Sequence, residues 1–114
     1  MTGSVPLERD CETTIIAAAQ ILGYRVHATR PARTQKGWRT PIRGDAGFPD
    51  LVIAGHGHVF FCELKRRGNK ATDDQMAWID TLGAAGMYAG VRWVPDQQQE
   101  LIDMLTRHAT RRSA

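Results

Sequence analysis

Two short apolar runs separated by a four-residue turn signal constrain this chain more than any other feature. Gly47-Phe48-Pro49-Asp50 leads into Leu51-Val52-Ile53-Ala54, and Val59-Phe60-Phe61-Cys62 leads into Glu63-Leu64-Lys65, with Gly55-His56-Gly57-His58 between them. The pattern predicts a β-hairpin. If it pivots between His56 and Gly57, Asp50 falls directly opposite Glu63 on one face, with Cβ atoms roughly 4.5–5.5 Å apart. Lys65, two residues on, shares that face. Two carboxylates this close repel each other unless something cationic sits between them, and a hard divalent ion held by oxygen is the simplest candidate. Apart from these charges both faces of the runs are apolar, which predicts central strands covered on two sides. That argues against Glu63 and Lys65 as an exposed edge-strand ion pair.

The remaining elements follow from periodicity and punctuation. Leu7 to Leu22 carries a helical stripe of Cys11, Ile15, Ile16, Ala19 and Leu22, stopped by Gly23. Tyr24 to Ala28 reads as a strand. Thr29 to Phe48, with Pro31, Gly37, Pro41, Gly44 and Gly47, reads as a long irregular, flexible loop, a length that in a small domain points to function or disorder. Thr72-Asp73-Asp74-Gln75 fits a capping box opening a second helix that Gly86 ends. Tyr88 to Val94 is a fourth strand, and Asp96 is placed to cap a last helix with Leu101, Ile102 and Leu105 inward. The order α-β-β-β-α-β-α predicts one α/β domain over residues 1–114 with a mixed central sheet. The helix between the third and fourth strands makes those two parallel.

At 114 residues and 42% apolar, the chain suits one modest core. No run approaches a membrane span and the first residues lack a secretory apolar region, so a cytoplasmic protein is expected, with Cys62 a buried reduced thiol. Net charge is only +3, but its distribution is uneven. Arg25, Arg30, Arg33, Lys36, Arg39 and Arg43 fall in a segment without an acid. Lys65, Arg66, Arg67 and Lys70 form a second such patch, and Arg107, Arg111 and Arg112 a third in the tail 107–114. Clustered arginine suits a phosphate backbone, most of all in the 30–43 segment that leads into the acidic motif. The tail reads as solvated surface rather than a phosphate contact.

The acid, the spacer and the Glu-x-Lys on the next strand resemble the signature of the PD-(D/E)xK nuclease superfamily. The fuller pattern, Gly47-Phe48-Pro49-Asp50-Leu51, then Phe61-Cys62-Glu63-Leu64-Lys65, then Gln75 opening a helix, resembles its VRR-NUC branch, which includes small stand-alone, often phage-encoded nucleases. The resemblance runs from about Glu8 to about Leu105. It implies a restriction-endonuclease-like core and a Mg²⁺- or Mn²⁺-dependent endonuclease of a bacterial or phage-infected cell, without an organic cofactor. The expected substrate is double-stranded DNA, branched, flapped or in four-way junctions; cutting such a junction symmetrically implies a homodimer. Asp50, Glu63 and the backbone carbonyl of Leu64 would hold the metal, and Lys65 would act on the water or the scissile phosphate. A glutamate on the first helix would complete the site, Glu12 in preference to Glu8, which lies one turn away. Gln75 would bond a catalytic carboxylate or the attacking water, or serve only its helix cap. Arg30, Arg33, Lys36, Arg39, Arg43, Arg66, Arg67 and Lys70 are the expected DNA contacts. The alternatives are a catalytically weak nucleic-acid-binding module and a cleavage subunit of a restriction or packaging complex.

Other candidates carry less. His56 and His58 read as solvent-facing turn residues, and no Cys/His spacing fits zinc. His27 could contact DNA or support the site, or be purely structural. Trp38 could stack on an unpaired base or anchor its loop, and Trp78 and Trp93 read as core.

Overall fold

The computed structural model describes residues 8–29, 32–34, 37–39 and 42–110, the two short stretches by their backbone. The elements run α1 (Glu8–Ile21), β1 (Arg25–Ala28), β2 (Ala32–Thr34), β3 (Gly37–Arg39), β4 (Leu51–Gly55), β5 (His58–Arg66), α2 (Asp73–Ala84), β6 (Tyr88–Val94) and α3 (Gln98–His108). The main sheet has the order β1-β4-β5-β6. β4 is antiparallel to both β1 and β5, while β6 returns parallel to β5 after the α2 crossover. This is the mixed α/β architecture that the sequence predicts.

Strand alternation divides the sheet into two faces. Leu51 and Ile53 of β4 and Phe60, Cys62 and Leu64 of β5 point to one side. There they meet Cys11, Ile15 and Ala19 of α1 and Leu101, Met104 and Leu105 of α3 in one buried core. Each large side chain fully buried in it contributes roughly 1.5–3 kcal/mol. The Tyr24 hydroxyl donates to the Leu105 carbonyl at 2.6 Å and ties the end of α1 to α3. The opposite face carries Phe61, Glu63 and Lys65. α2 lies over it, its first turn reaching Glu63 and its Trp78 meeting Phe48, which in turn packs on Phe61. No helix among the described residues is long and apolar enough to cross a membrane.

Three local readings are corrected. The stretch from 29 to 48 is not irregular throughout: β2 and β3 pair antiparallel, Ala32 with Arg39, Arg33 with Trp38 and Thr34 with Gly37. Flanking prolines and glycines hide two strands of three residues from any periodicity argument. The mobility expected of this stretch, and the contacts of Arg30, Arg33, Lys36, Trp38 and Arg39, lie outside the described residues and side chains. Secondly, His56 does not face solvent. Its Nδ1 accepts the Thr110 N–H at 2.9 Å, which leaves the proton on Nε2, bonded to the Leu22 carbonyl at 2.7 Å. It therefore clasps the ends of α1 and α3 and meets the Tyr24 ring edge-on. Thirdly, Gln97, not Asp96, occupies the position that begins α3. Asp96 is instead drawn to Arg67, which forks onto both of its carboxylate oxygens.

Candidate active site

The hairpin register sets the site. Leu51 pairs with Cys62 and Gly55 with His58 around the His56-Gly57 turn. One step beyond Leu51 and Cys62, Asp50 and Glu63 are opposed at the mouth of β4, as the turn position predicts. Each acid takes a backbone hydrogen bond from the other's strand. The Asp50 N–H donates to Glu63 Oε1 at 3.2 Å, and the Leu64 N–H donates to Asp50 Oδ2 at 3.2 Å. A strand residue's N–H and C=O leave on the same side, so the Leu64 carbonyl also points toward Asp50, past the end of β4.

Residues on both sides of Asp50 hold it there. Gly47 has φ +96°, and a Cβ on it would lie 2.6 Å from the Asp74 carbonyl carbon and 2.8 Å from the Gln75 nitrogen. Only glycine lets this segment approach the first turn of α2 so closely. Trp78 Nε1 donates to the Asp45 carbonyl at 3.2 Å, and the Phe48 ring meets Trp78 edge-on, centroids 4.9 Å apart. Pro49 is buried, and the Asp50 carbonyl accepts the Thr29 N–H at 3.0 Å.

Gln75 performs both roles that the sequence leaves open. Thr72 Oγ1 accepts the Gln75 N–H at 3.2 Å, and Gln75 Oε1 accepts the Thr72 N–H at 2.8 Å, which closes the capping box. A backbone N–H can only donate, so this second bond fixes which way the amide faces. Nε2 is thereby turned to Glu63 Oε2, 3.0 Å away. The helix cap orients the donor that orients the carboxylate.

The electrostatics are those of a site short of positive charge. Glu63 is 2% exposed. Burial first, then the charge of Asp50, pushes its carboxyl up to about 8, while Lys65 pulls the other way. Asp50 is also raised, mainly by burial, against lowering by its hydrogen bonds to Glu63 and Leu64 and by Lys65. Each carboxyl acts on the other, so a proton taken up by the pair relieves their repulsion. Glu8 joins them. Its carboxyl is raised by burial and by the charge of Asp50, and lowered by Lys65 and by the Arg66 N–H that it accepts. Glu12, preferred on the sequence, is half-buried one turn further along α1 and has interactions of its own.

The groups brought together are oxygen donors: the Asp50 and Glu63 carboxylates face each other, and the Glu8 carboxylate feels the charge of Asp50. That set fits a hard divalent cation. Among the described residues no group of three or more His, Cys, Asp or Glu is arranged to hold a metal by itself. This is compatible with Mg²⁺, which keeps several waters and takes one or two carboxylates together with substrate phosphate oxygens.

Of the expected DNA contacts whose side chains are described, Arg43, Arg66 and Lys70 are exposed. Arg67 is exposed too, but its guanidinium is engaged by Asp96. Cys62 is free and buried, its thiol pushed up to about 12 by burial. Trp93, expected in the core, is instead 36% exposed.

A solved structure described as a VRR_NUC domain protein superposes on this chain with a TM-score of 0.66 at 21% sequence identity, covering 92% of each chain. The fold is therefore of the VRR-NUC type, as the motif predicts. No family model matches the sequence, and no curated protein does.

Proposed function

We propose that the protein is a divalent-metal-dependent endonuclease that hydrolyses phosphodiester bonds in DNA, with a preference for branched, flapped or four-way junction substrates. The observation that carries this reading is the pair of buried carboxylates, Asp50 and Glu63, opposed across the hairpin with Lys65 two residues on. A buried, mutually repelling acid pair weakens a fold unless a ligand answers it, and the VRR-NUC-type architecture supplies the context for that ligand.

Asp50 and Glu63 hold the metal, with Glu8 as the helix acid and the Leu64 carbonyl as a further oxygen. A bound Mg²⁺ or Mn²⁺ would lower the pKa of a water and stabilise charge on the phosphoryl oxygens. Gln75 keeps Glu63 from rotating by holding Oε2. Lys65, a donor with no lone pair while protonated, is not a ligand; its Nζ positions the attacking water or a non-bridging phosphate oxygen. Arg43, Arg66 and Lys70, together with the basic segment around β2 and β3, hold the flanking phosphates. A domain this small has little surface for reading a long base sequence, which favours recognition of DNA shape. Two symmetric cuts in a junction require a two-fold pair of chains.

The test is a panel of end-labelled linear, flap and four-way DNAs incubated with the protein and Mg²⁺ or Mn²⁺, with a chelator control. Metal-dependent nicking that is strongest on branched DNA is expected. Binding without cleavage under every condition overturns the nuclease reading.

A further inference from the structure

We infer that Trp93 is a stacking platform for an unpaired base of the DNA, placed beside the proposed cleavage site. This rests on the nuclease reading for its substrate and goes beyond it in naming a residue that selects single-stranded character.

β6 runs parallel to β5 in a register that pairs Trp93 with Lys65. Paired residues of adjacent strands share a face, and the strands lie roughly 4.8 Å apart. The indole therefore stands next to Lys65 on the face that carries Glu63. It is held but not buried. Nε1 donates to the Asn69 carbonyl at 2.7 Å, the Trp93 N–H donates to Gln97 Oε1 at 2.8 Å, and its carbonyl accepts the Gln97 N–H at 2.7 Å. A ring whose polar tip and backbone are tied down loses little entropy when something stacks on it, and 36% of the residue is exposed. The chain around it is cationic. Lys70 is exposed on the connection that also supplies Asn69, and Lys65 is the register partner of Trp93. Asp96, the nearby acid on the segment after β6, is already matched by Arg67.

A fixed aromatic beside Lys65 and Lys70 suits a single strand: the cations follow the phosphates and the ring takes a base. A fully paired duplex offers no free base face, so the platform distinguishes a flap or junction from linear DNA. Alternatively the indole only anchors the β5–α2 connection through Asn69, and the two roles respond differently to substitution.

The test measures, by fluorescence anisotropy in chelator, the affinity of the full chain for labelled oligothymidylate and for a blunt duplex of equal length. Trp93→Leu is expected to weaken the single strand on the order of 10-fold and the duplex by less than about 2-fold. Trp93→Phe, which keeps a ring but loses the bond to Asn69, is expected to retain most of the single-strand affinity. Oligothymidylate should quench tryptophan emission in the wild type, and Trp93→Leu should lose most of that quenching. Equal loss on both DNAs, no loss on either, or Trp93→Phe as impaired as Trp93→Leu overturns the inference. Cleavage with Mg²⁺ is scored separately on the same preparations. Cleavage that persists while single-strand affinity ignores Trp93 refutes only the platform; wild-type protein that neither binds nor cleaves refutes both readings.

Discussion

Without a divalent cation, the protein should lose stability as pH rises through neutrality, and Glu63 should be the main cause. Its carboxyl ordinarily titrates near 4.5 and is pushed up to about 8 in the fold. A group raised on folding contributes its full stabilisation below the unfolded value and loses it as pH climbs through the folded value. Between the two, the native state holds one proton more than the unfolded chain, so unfolding free energy falls by about 1.4 kcal/mol per pH unit. From pH 5 to pH 8 the ceiling is about 4 kcal/mol, and relaxation with water at the open end of the site reduces the expectation to roughly 2 kcal/mol. Urea unfolding in chelator at several pH values measures it. Glu63→Gln removes one of two carboxyls that act on each other, so the difference between the two pH profiles reports the Asp50–Glu63 pair. That profile should be flatter by roughly 2 kcal/mol over the interval. Adding Mg²⁺ should stabilise the wild type more at pH 8 than at pH 5, because the metal binds the deprotonated pair. Wild-type and Glu63→Gln profiles that run parallel would refute the reasoning.

Three other substitutions probe separate links. Gly47→Ala should destabilise the fold by at least about 2 kcal/mol in denaturant titrations, since its Cβ meets the α2 backbone at a positive φ; a neutral result would mean that this approach is loose. Gln75→Glu keeps an acceptor for the Thr72 N–H but turns an acid toward Glu63, so cleavage should fall at least about 10-fold while α2 stays helical by circular dichroism; unchanged turnover would reduce Gln75 to a cap. Replacing Arg33, Lys36 and Arg39 together with alanine should weaken binding uniformly across DNA sequences and lower the salt slope by about 0.9 for each phosphate that is no longer neutralised; an unchanged slope would place the DNA path elsewhere.

The parts that were legible in the sequence are those set by short-range geometry. A two-residue turn fixes antiparallel register, so the opposition of Asp50 and Glu63 follows from the place of His56-Gly57, and the structure has that register. The capping box is equally local, and it forms. What the sequence hides depends on distant partners. Nothing near His56 announces that Leu22 and Thr110 converge on it. Asp96 has the composition of a helix cap, but Arg67, across the chain, claims both its oxygens. A crossover fixes the direction of a parallel strand but not its register, so the pairing of Lys65 with Trp93 had no sequence signal. Glu8 and Glu12 share one helix face, and the bond from the Arg66 N–H to the Glu8 carboxyl depends on how α1 meets a strand far along the chain, which no local pattern gives.

The central claim is that the Asp50–Glu63 pair exists for metal-dependent phosphodiester cleavage and not for DNA affinity. Its most direct test measures two quantities on one preparation each of wild type, Asp50→Asn and Glu63→Gln. They are the single-turnover cleavage rate of a branched DNA with Mg²⁺, and the affinity for the same DNA in chelator. Cleavage should fall to background in both variants, with affinity unchanged or tighter because negative charge has been removed beside the phosphates. Turnover near the wild-type rate in either variant, or a drop in affinity large enough to account for the missing rate, would contradict it.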